Sequence, residues 1–372
     1  MLVRPAHLHI DLSAIRHNLG EVRRIVGPQV ATIAVVKADA YGHGALPVSR
    51  VALAAGAQML AVALLEEGVA LREAGLMAPI LVMGAMLPEQ ADDLVTWNLI
   101  PTVMNLELAA ALSQAATAAG QVLNCHLKVD TGMCRLGARD DSLPELLPAL
   151  AHLPGLRWEG IFSHLADPTD DPEATRAQIA RLTAAIERAA AALGPLPYRH
   201  ISGSGGICLH ESSFFTAVRP GEMMYGLVAG VPDTMQRGLR EAMSLHTRVA
   251  FLKRVHAGER VSYGGTWQAP ADTTLAVIPI GYADGYPRSL SGVAEVLIGG
   301  RRRPLVGRVC MDCILADVGP QADCALGDEV VVFGRQGEAE VRISEISRLG
   351  QTINQEIVAR MGSRLPRVYL DV

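Results

Sequence analysis

The sequence predicts an α/β fold, an N-terminal (β/α)8 barrel followed by a C-terminal mostly-β domain. Three observations carry that expectation. From residue 30 to about 230, short β-branched runs alternate with longer Ala/Leu-rich stretches. The alternation repeats about eight times at roughly 20–35 residues per unit, as a barrel requires. After Gly226 the strand-like runs continue while the helical stretches largely disappear.

The eight barrel runs fall at Thr32–Val36, Met59–Ala63, Ile80–Met83, Ile100–Met104, Cys125–Val129, Trp158–Ser163, Arg199–Ser202 and Phe215–Val218. The segments between them read as helices. In one, Asp171-Pro172 supplies an N-cap with proline in the first turn. Ile179, Leu182, Ile186, Ala190 and Leu193 then trace one face before Gly194. A doubly wound sheet usually has fewer strands, and no G-x-G-x-x-G follows the first one. In the second domain, strands are expected at Val249–Val255, Leu275–Ile280, Glu295–Ile298, Leu305–Val309 and Val330–Phe333, with a turn at Gly299-Gly300. A short helix is expected around Ile343–Leu349. The domains are set at residues 1–235 and 236–372, with the boundary between 228 and 245 and the first ten or so residues free to pack with the β domain.

Composition narrows the function. Half of the 372 residues are hydrophobic and 19% are charged, which supports a sizeable core and argues against disorder. A net charge of −5 gives no reason to expect nucleic acid or an anionic membrane as partner. Met1–Ile10 lacks a basic patch followed by an apolar stretch, so no signal peptide is expected. Apolar runs such as Ile33–Val36 and Ile80–Met83 are too short to span a bilayer. Six scattered cysteines (125, 134, 208, 310, 313 and 324) read as reduced thiols of a cytoplasmic protein.

Chemistry in a barrel gathers where strands end. The first strand runs into Lys37, then Ala-Asp-Ala-Tyr-Gly-His-Gly. The fifth ends in Lys128 and continues to Arg135, the sixth ends in His164, the seventh in Ser202–Gly206 and the eighth in Arg219-Pro220-Gly221. Taken singly, each has an ordinary reading: a solvated lysine, a structural histidine, a surface arginine. Five such ends together converge on one mouth. The Ser202–Gly206 loop offers backbone N–H groups to an anion. A lysine in a partly dry pocket loses its ammonium proton more readily, and the neutral amine can form a Schiff base. Lysine plus a phosphate cradle suggests pyridoxal phosphate, while aldolase-type chemistry on a sugar phosphate fits the same features.

Val36-Lys37-Ala38-Asp39-Ala40-Tyr41-Gly42-His43-Gly44 resembles the cofactor-lysine signature of bacterial alanine racemases. The likeness continues through Lys128–Gly137, Ile161–His164, Arg219–Gly226, Val261–Gly264, Gly281–Gly285, Gly307–Asp312 and Thr352–Ile357, over essentially the whole chain. It implies a pyridoxal 5'-phosphate enzyme that interconverts L- and D-alanine by a two-base mechanism and supplies D-alanine for peptidoglycan. It implies a homodimer with shared active sites. By the same resemblance Lys37 tethers the cofactor and is one base, and Tyr263 of the other subunit is the second. Arg219 faces the pyridine nitrogen and His164 links that arginine to the tyrosine. Tyr41, Ser204, Gly221 and the backbone near Glu222 hold the phosphate. Arg135 and Met311 bind the substrate carboxylate, Tyr282 lines the way in, and Lys128 matches a lysine that is often carbamylated.

The implied chemistry is physically consistent. Racemisation needs a base on each face of a planar carbanion. A free tyrosine, with a pKa of about 10, is a poor base at neutral pH, and positive charge along Arg219–His164 would depress it. Three positions depart from the family pattern. Gly203 replaces an asparagine, Glu222 an aliphatic residue, and Gln355 a tyrosine that touches the phosphate and narrows the substrate pocket. Gln355 therefore suggests a racemase that also acts on serine. Two further alternatives are a barrel-fold decarboxylase of basic amino acids and a non-enzymatic pyridoxal-phosphate carrier. Against the first stand the Tyr263 segment and Arg219; against the second, the ~130 residues after the barrel. Cys310-Met311-Asp312-Cys313, expected within a strand, is a lone C-x-x-C and no metal is assigned to it. Asp284 reads as a turn former and Arg301-Arg302-Arg303 as a solvated strand edge.

Overall fold

The computed structural model describes residues 4–228, 230–231 and 238–371. Eight parallel strands form the barrel wall: β2 (Ala31–Val35), β3 (Met59–Val62), β4 (Ile80–Val82), β5 (Ile100–Val103), β6 (Leu123–Lys128), β7 (Leu156–Phe162), β8 (Tyr198–His200) and β9 (Ala217–Val218). They pair in sequence from β2 to β8, and β9 returns to pair with β2. The seam between β8 and β9 is held by backbone bonds from Thr216 N to Arg199 O (3.1 Å) and from Arg219 N to Ser202 O (2.9 Å). Each expected barrel strand is present, because a parallel strand buried on both faces needs continuous apolar runs and the sequence supplies them. Ile33, Met59, Ala61, Leu81, Ile100 and Ala217 form one buried cluster along these strands.

The helices have clear terminal chemistry. The longest, Pro172–Leu193, starts where the Asp171 carboxylate accepts from Ala174 N–H, places proline in its first turn and stops at Gly194 with φ 86°.

The second domain begins before the barrel does. Strand β1 (His7–Asp11) precedes β2 in the chain, yet pairs antiparallel with β10 (Met243–Arg248) and parallel with β20 (Arg367–Leu370). Leu8 and Ile10 point one way from β1 and are fully buried; truncating one to alanine should cost about 2–5 kcal/mol. Further strands are β11 (Phe251–Val255), β12 (Arg260–Val261), β13 (Trp267–Gln268), β14 (Thr273–Ile278), β15 (Glu295–Ile298), β16 (Arg301–Pro304), β17 (Ile314–Gly319), β18 (Glu329–Gln336) and β19 (Ala339–Val341). The large sheet runs β16-β15-β18-β10-β1-β20, and β11-β14-β17 make a smaller one. A helix occupies Ile343–Leu349, as expected.

Two expectations are corrected. Leu305–Val309 is not a strand: its Leu305 makes one isolated bridge to Ala316, and the pairing segments on either side are β16 and β17. The apolar run is there because Leu305, Val306 and Val309 are buried as a loop. Cys310 and Cys313 likewise sit in that loop rather than in a strand, bridged by Cys310 N to Cys313 O at 3.0 Å. The arginine run is an edge strand, with Arg302 paired to Glu295 and Glu345. The expected boundary at 235/236 lies outside the described residues.

Candidate active site

Lys37 follows β2 and opens an unusual turn. Ala38, Asp39, Ala40 and Tyr41 all take left-handed backbone angles, with φ of 52°, 53°, 54° and 53°. None is glycine, and each such residue costs about 1–2 kcal/mol. Side-chain hydrogen bonds in and around the turn offset that strain. Glu67 accepts from Ala38 N–H at 2.5 Å and Asp39 from Ala45 N–H at 2.7 Å. Tyr225 donates its hydroxyl to Val35 O at 2.9 Å, just before the turn. Gly42 has φ 79° and sits so close to Val358 O that a Cβ would lie 2.3 Å from it. The turn is thus clamped by the C-terminal domain. It brings the Tyr41 ring beside Lys37, with Nζ 5.9 Å from the ring centroid.

The cradle next to Lys37 is built from Tyr41, Ser204 and Gly221. Ser204 Oγ accepts from Gly221 N–H (3.1 Å) and Met223 N–H (3.0 Å). A Cβ on Gly221 would stand 2.8 Å from the Tyr41 hydroxyl. The Tyr41 and Ser204 hydroxyls therefore converge where only glycine leaves room, with the Gly221 and Met223 N–H groups holding Ser204 in place, a donor pair suited to a phosphate. Glu222 is the exception, since its carboxylate lies near enough to help burial raise the Tyr41 phenol.

Arg219 is buried at the mouth, 4% exposed. Its Nη2 donates to Ser163 O (2.8 Å), Ile201 O (3.0 Å) and His164 Nδ1 (3.0 Å), and its Nη1 to His200 Nδ1 (2.6 Å). Burial lowers this guanidinium to about 9. Burial, then Arg219, pushes His164 down to about 3, so its imidazole is neutral and carries its proton on Nε2. His200 was not singled out from the sequence. Its signal was faint: a histidine two residues before Ser202 on a barrel strand, indistinguishable there from an ordinary core histidine.

Lys128 is 6% exposed, its Nζ 5.1 Å from the centre of the Phe162 ring. Burial, followed by Arg219, Arg135 and Lys37, lowers its ammonium to about 8. Burial and then Arg135 also lower Lys37. Lys37, Lys128, Arg135 and Arg219 therefore share one neighbourhood, with Arg135 itself exposed.

The remaining expected residues lie elsewhere in this chain. Tyr263 (72% exposed), Met311 (52%) and Tyr282 (42%) are on the C-terminal domain. Their loops are tied together: Ser262 Oγ donates to Arg308 O at 3.0 Å, and Tyr282 and Ala283 N–H groups bond Cys310 O and Met311 O. Asp284 closes that turn by accepting from Gly281 N–H and pairs with Arg4 at 2.5 Å. Gln355 is the second residue of the helix Asn354–Ala359 that backs the Lys37 turn, and its Oε1 is buried with no hydrogen-bond partner.

Fold and site together define a barrel enzyme whose chemistry centres on a partly dehydrated lysine beside an anion cradle. Comparison with known proteins narrows the class. Residues 10–229 match the family model described as "Alanine racemase, N-terminal domain", and residues 242–369 match "Alanine racemase, C-terminal domain". An alanine racemase of Desulforamulus reducens is 43% identical over 98% of this chain and 99% of its own. The alanine racemase structure from Streptomyces coelicolor superposes with a TM-score of 0.94 at 36% identity, covering 100% and 99% of the two chains. That from Bacillus anthracis with bound L-Ala-P gives 0.92 at 32%, covering 100% and 96%. The chain belongs to the alanine racemase family. No helix among the described residues is long and apolar enough to cross a membrane.

Proposed function

We propose that this protein interconverts L- and D-alanine with pyridoxal 5'-phosphate bound at the barrel mouth, as a cytoplasmic homodimer whose sites are shared, supplying D-alanine to cell-wall synthesis. The observation that carries the reading is the placement of Lys37. It is half-buried, its proton is loosened by burial and by Arg135, and it adjoins a cradle of hydroxyl donors from Tyr41 and Ser204.

Tyr41, Ser204, Gly221 and the backbone at Glu222 would hold the phosphate, and Lys37 would hold the group covalently. When bound, the cofactor supplies an electron sink for the substrate α-carbon. Lys37 moves the α-proton on one face. Arg219, a donor only, would be the group offered to the ring nitrogen, and a guanidinium there would leave that nitrogen largely unprotonated, favouring return of a proton to the α-carbon over side reactions. Tyr263 of a second copy moves the proton on the opposite face. His164, accepting from Arg219 on Nδ1, would offer its Nε2–H to that tyrosine. Arg135 and Met311, the latter also from the second copy, receive the substrate carboxylate, and Tyr282 lines its approach. The exposed Tyr263, Tyr282 and Met311 on one linked set of loops support such a contact surface.

Lys128 sits among three cations with its amine easily neutralised, the setting in which it would add carbon dioxide, lose a proton and become an anion facing Arg135. Incubating the purified protein with L-alanine and pyridoxal phosphate and resolving the product by chiral chromatography tests the activity. Formation of an equimolar mixture is expected; an unchanged L-alanine pool would refute it.

A further inference from the structure

Arg219 does not end at His200. His200 Nε2 lies 3.0 Å from His126 Nδ1, and His126 Nε2 lies 3.6 Å from a Glu159 carboxylate oxygen. The row begins at the mouth on β9's end and crosses β8 and β6 to reach β7.

Proton directions along this row follow from one fact: a guanidinium only donates. Arg219 donates to His200 Nδ1, so a neutral His200 must carry its proton on Nε2. That proton then points at His126 Nδ1, which must accept, and so His126 carries its own proton on Nε2. The last proton faces Glu159, which as a carboxylate only accepts. Burial holds both imidazoles below their usual value, His200 well below, so both are neutral and the row has one sense throughout.

The backbone is adapted to this placement. In the β6–β7 ladder Cys125 pairs with Trp158 but His126 pairs with Gly160, which leaves Glu159 as an extra residue on β7. Such bulges re-aim a side chain. Gly160 has no room for a Cβ, which would lie 2.5 Å from the His126 ring. Phe162 stacks on His200 at 4.7 Å and 14°, and Tyr198 on His126 at 5.8 Å and 26°. Among the described residues His126 Nε2 is buried with no partner at bonding distance, and the Glu159 carboxylate 3.6 Å away is placed to receive it.

We propose that Glu159, acting through His126 and His200, is a positioning residue for Arg219: it receives the last proton of a row whose sense Arg219 sets, anchors both rings, and so holds the plane of the guanidinium at the mouth. The proposal rests on the racemase reading for its consequence in turnover, but the proton positions can be read without any substrate. An amide at 159 can donate as well as accept. Turned to donate, it would force the His126 proton onto Nδ1, against the His200 Nε2–H, so one contact of the row must break and the rings lose their anchor.

The test is 15N NMR of histidine-labelled protein, with and without pyridoxal phosphate, assigned through His126→Asn and His200→Asn. Both rings are expected as neutral Nε2–H tautomers. In Glu159→Gln the His126 signals should move towards a tautomer mixture, and kcat for L-alanine should fall roughly tenfold with KM little changed. Glu159→Asp, which keeps an acceptor, should retain the wild-type tautomers and recover part of kcat. A wild-type His126 that is cationic or protonated on Nδ1 overturns the proposal, even if Glu159→Gln fails to fold. So does a folded Glu159→Gln with unaltered 15N signals and unaltered kcat. A protein that shows the expected tautomers but does not racemise alanine would leave the row standing and refute the functional reading instead.

Discussion

Arg219 Nη2 donates to His164 Nδ1 at 3.0 Å while Nη1 of the same guanidinium holds His200 at 2.6 Å. A single planar group thus fixes two imidazoles and two strand-end carbonyls. Lysine has one donor centre and cannot span them. Arg219→Lys should destabilise the fold by about 2–3 kcal/mol, through buried acceptors left without donors. It should also reduce kcat at least about tenfold. Urea unfolding and steady-state kinetics on the same preparation check both.

Lys37 is both tether and base in the proposed reaction, so its loss should exceed that of any other single change. Lys37→Ala should abolish racemisation and retain pyridoxal phosphate only as a loosely held aldehyde. Borohydride reduction of the wild type followed by peptide mapping should find the cofactor on Lys37. A reduced adduct on another lysine would reassign the site.

Lys128 should gain the mass of one carbon dioxide, visible as a 13C resonance after growth or exchange with labelled bicarbonate. Lys128→Ala removes the anion that would steady Arg135, so KM for alanine should rise roughly tenfold with a smaller change in kcat. Equal losses in kcat and kcat/KM would place Lys128 in the chemistry instead.

Gln355 stands where the family resemblance leads one to expect a tyrosine, and its Oε1 is buried without a donor. A substrate hydroxyl is a donor of suitable size. Serine should therefore be racemised better than by tyrosine-bearing relatives, with alanine still a good substrate. Gln355→Tyr should lower the serine-to-alanine ratio of kcat/KM by roughly tenfold, the scale set by about 1–3 kcal/mol for one such pocket change. An unchanged ratio would make Gln355 a companion of Gly203 and Glu222 around the phosphate rather than a selector.

His43 is fully buried, its Nδ1 donating to Ala40 O and Tyr41 O, and burial lowers it to about 4. The unfolded chain, with an ordinary imidazole, binds the proton first as pH falls. The contribution is complete above about pH 6.5 and is lost on descending towards 4. Buried His164 and His200 act in the same sense. Stability should fall with pH across that window by about 1.4 kcal/mol per unit for each such histidine. Urea midpoints at pH 5.5 and 7 measure the slope, and His43→Gln should flatten it.

The barrel was legible because β-branched runs such as Thr32–Val36 recur about eight times at the spacing of β/α units, which a single buried loop does not do. Lys37, Arg219 and Ser204 stood out as polar groups at strand ends. The left-handed turn 38–41 was not legible, since Ala-Asp-Ala-Tyr contains no glycine to mark it and the clamp comes from Glu67 and from residue 358. The partnership of β1 with β10 and β20 depends on contacts more than 200 residues apart. Leu305–Val309 misled because a buried loop and a buried strand ask for the same side chains. His126, His200 and Glu159 are unremarkable singly and acquire meaning from the barrel that aligns them.

The central claim is that one site takes Lys37 from one chain and Tyr263 from another, and hybrid dimers test it directly. Lys37→Ala and Tyr263→Phe chains, each nearly inactive alone, are unfolded together, refolded and supplied with pyridoxal phosphate. Each hybrid dimer then holds one site with both defects and one with neither. Random pairing predicts recovery of about one quarter of wild-type activity per site. No recovery, with hybrid formation confirmed by mass, would contradict a site shared between chains.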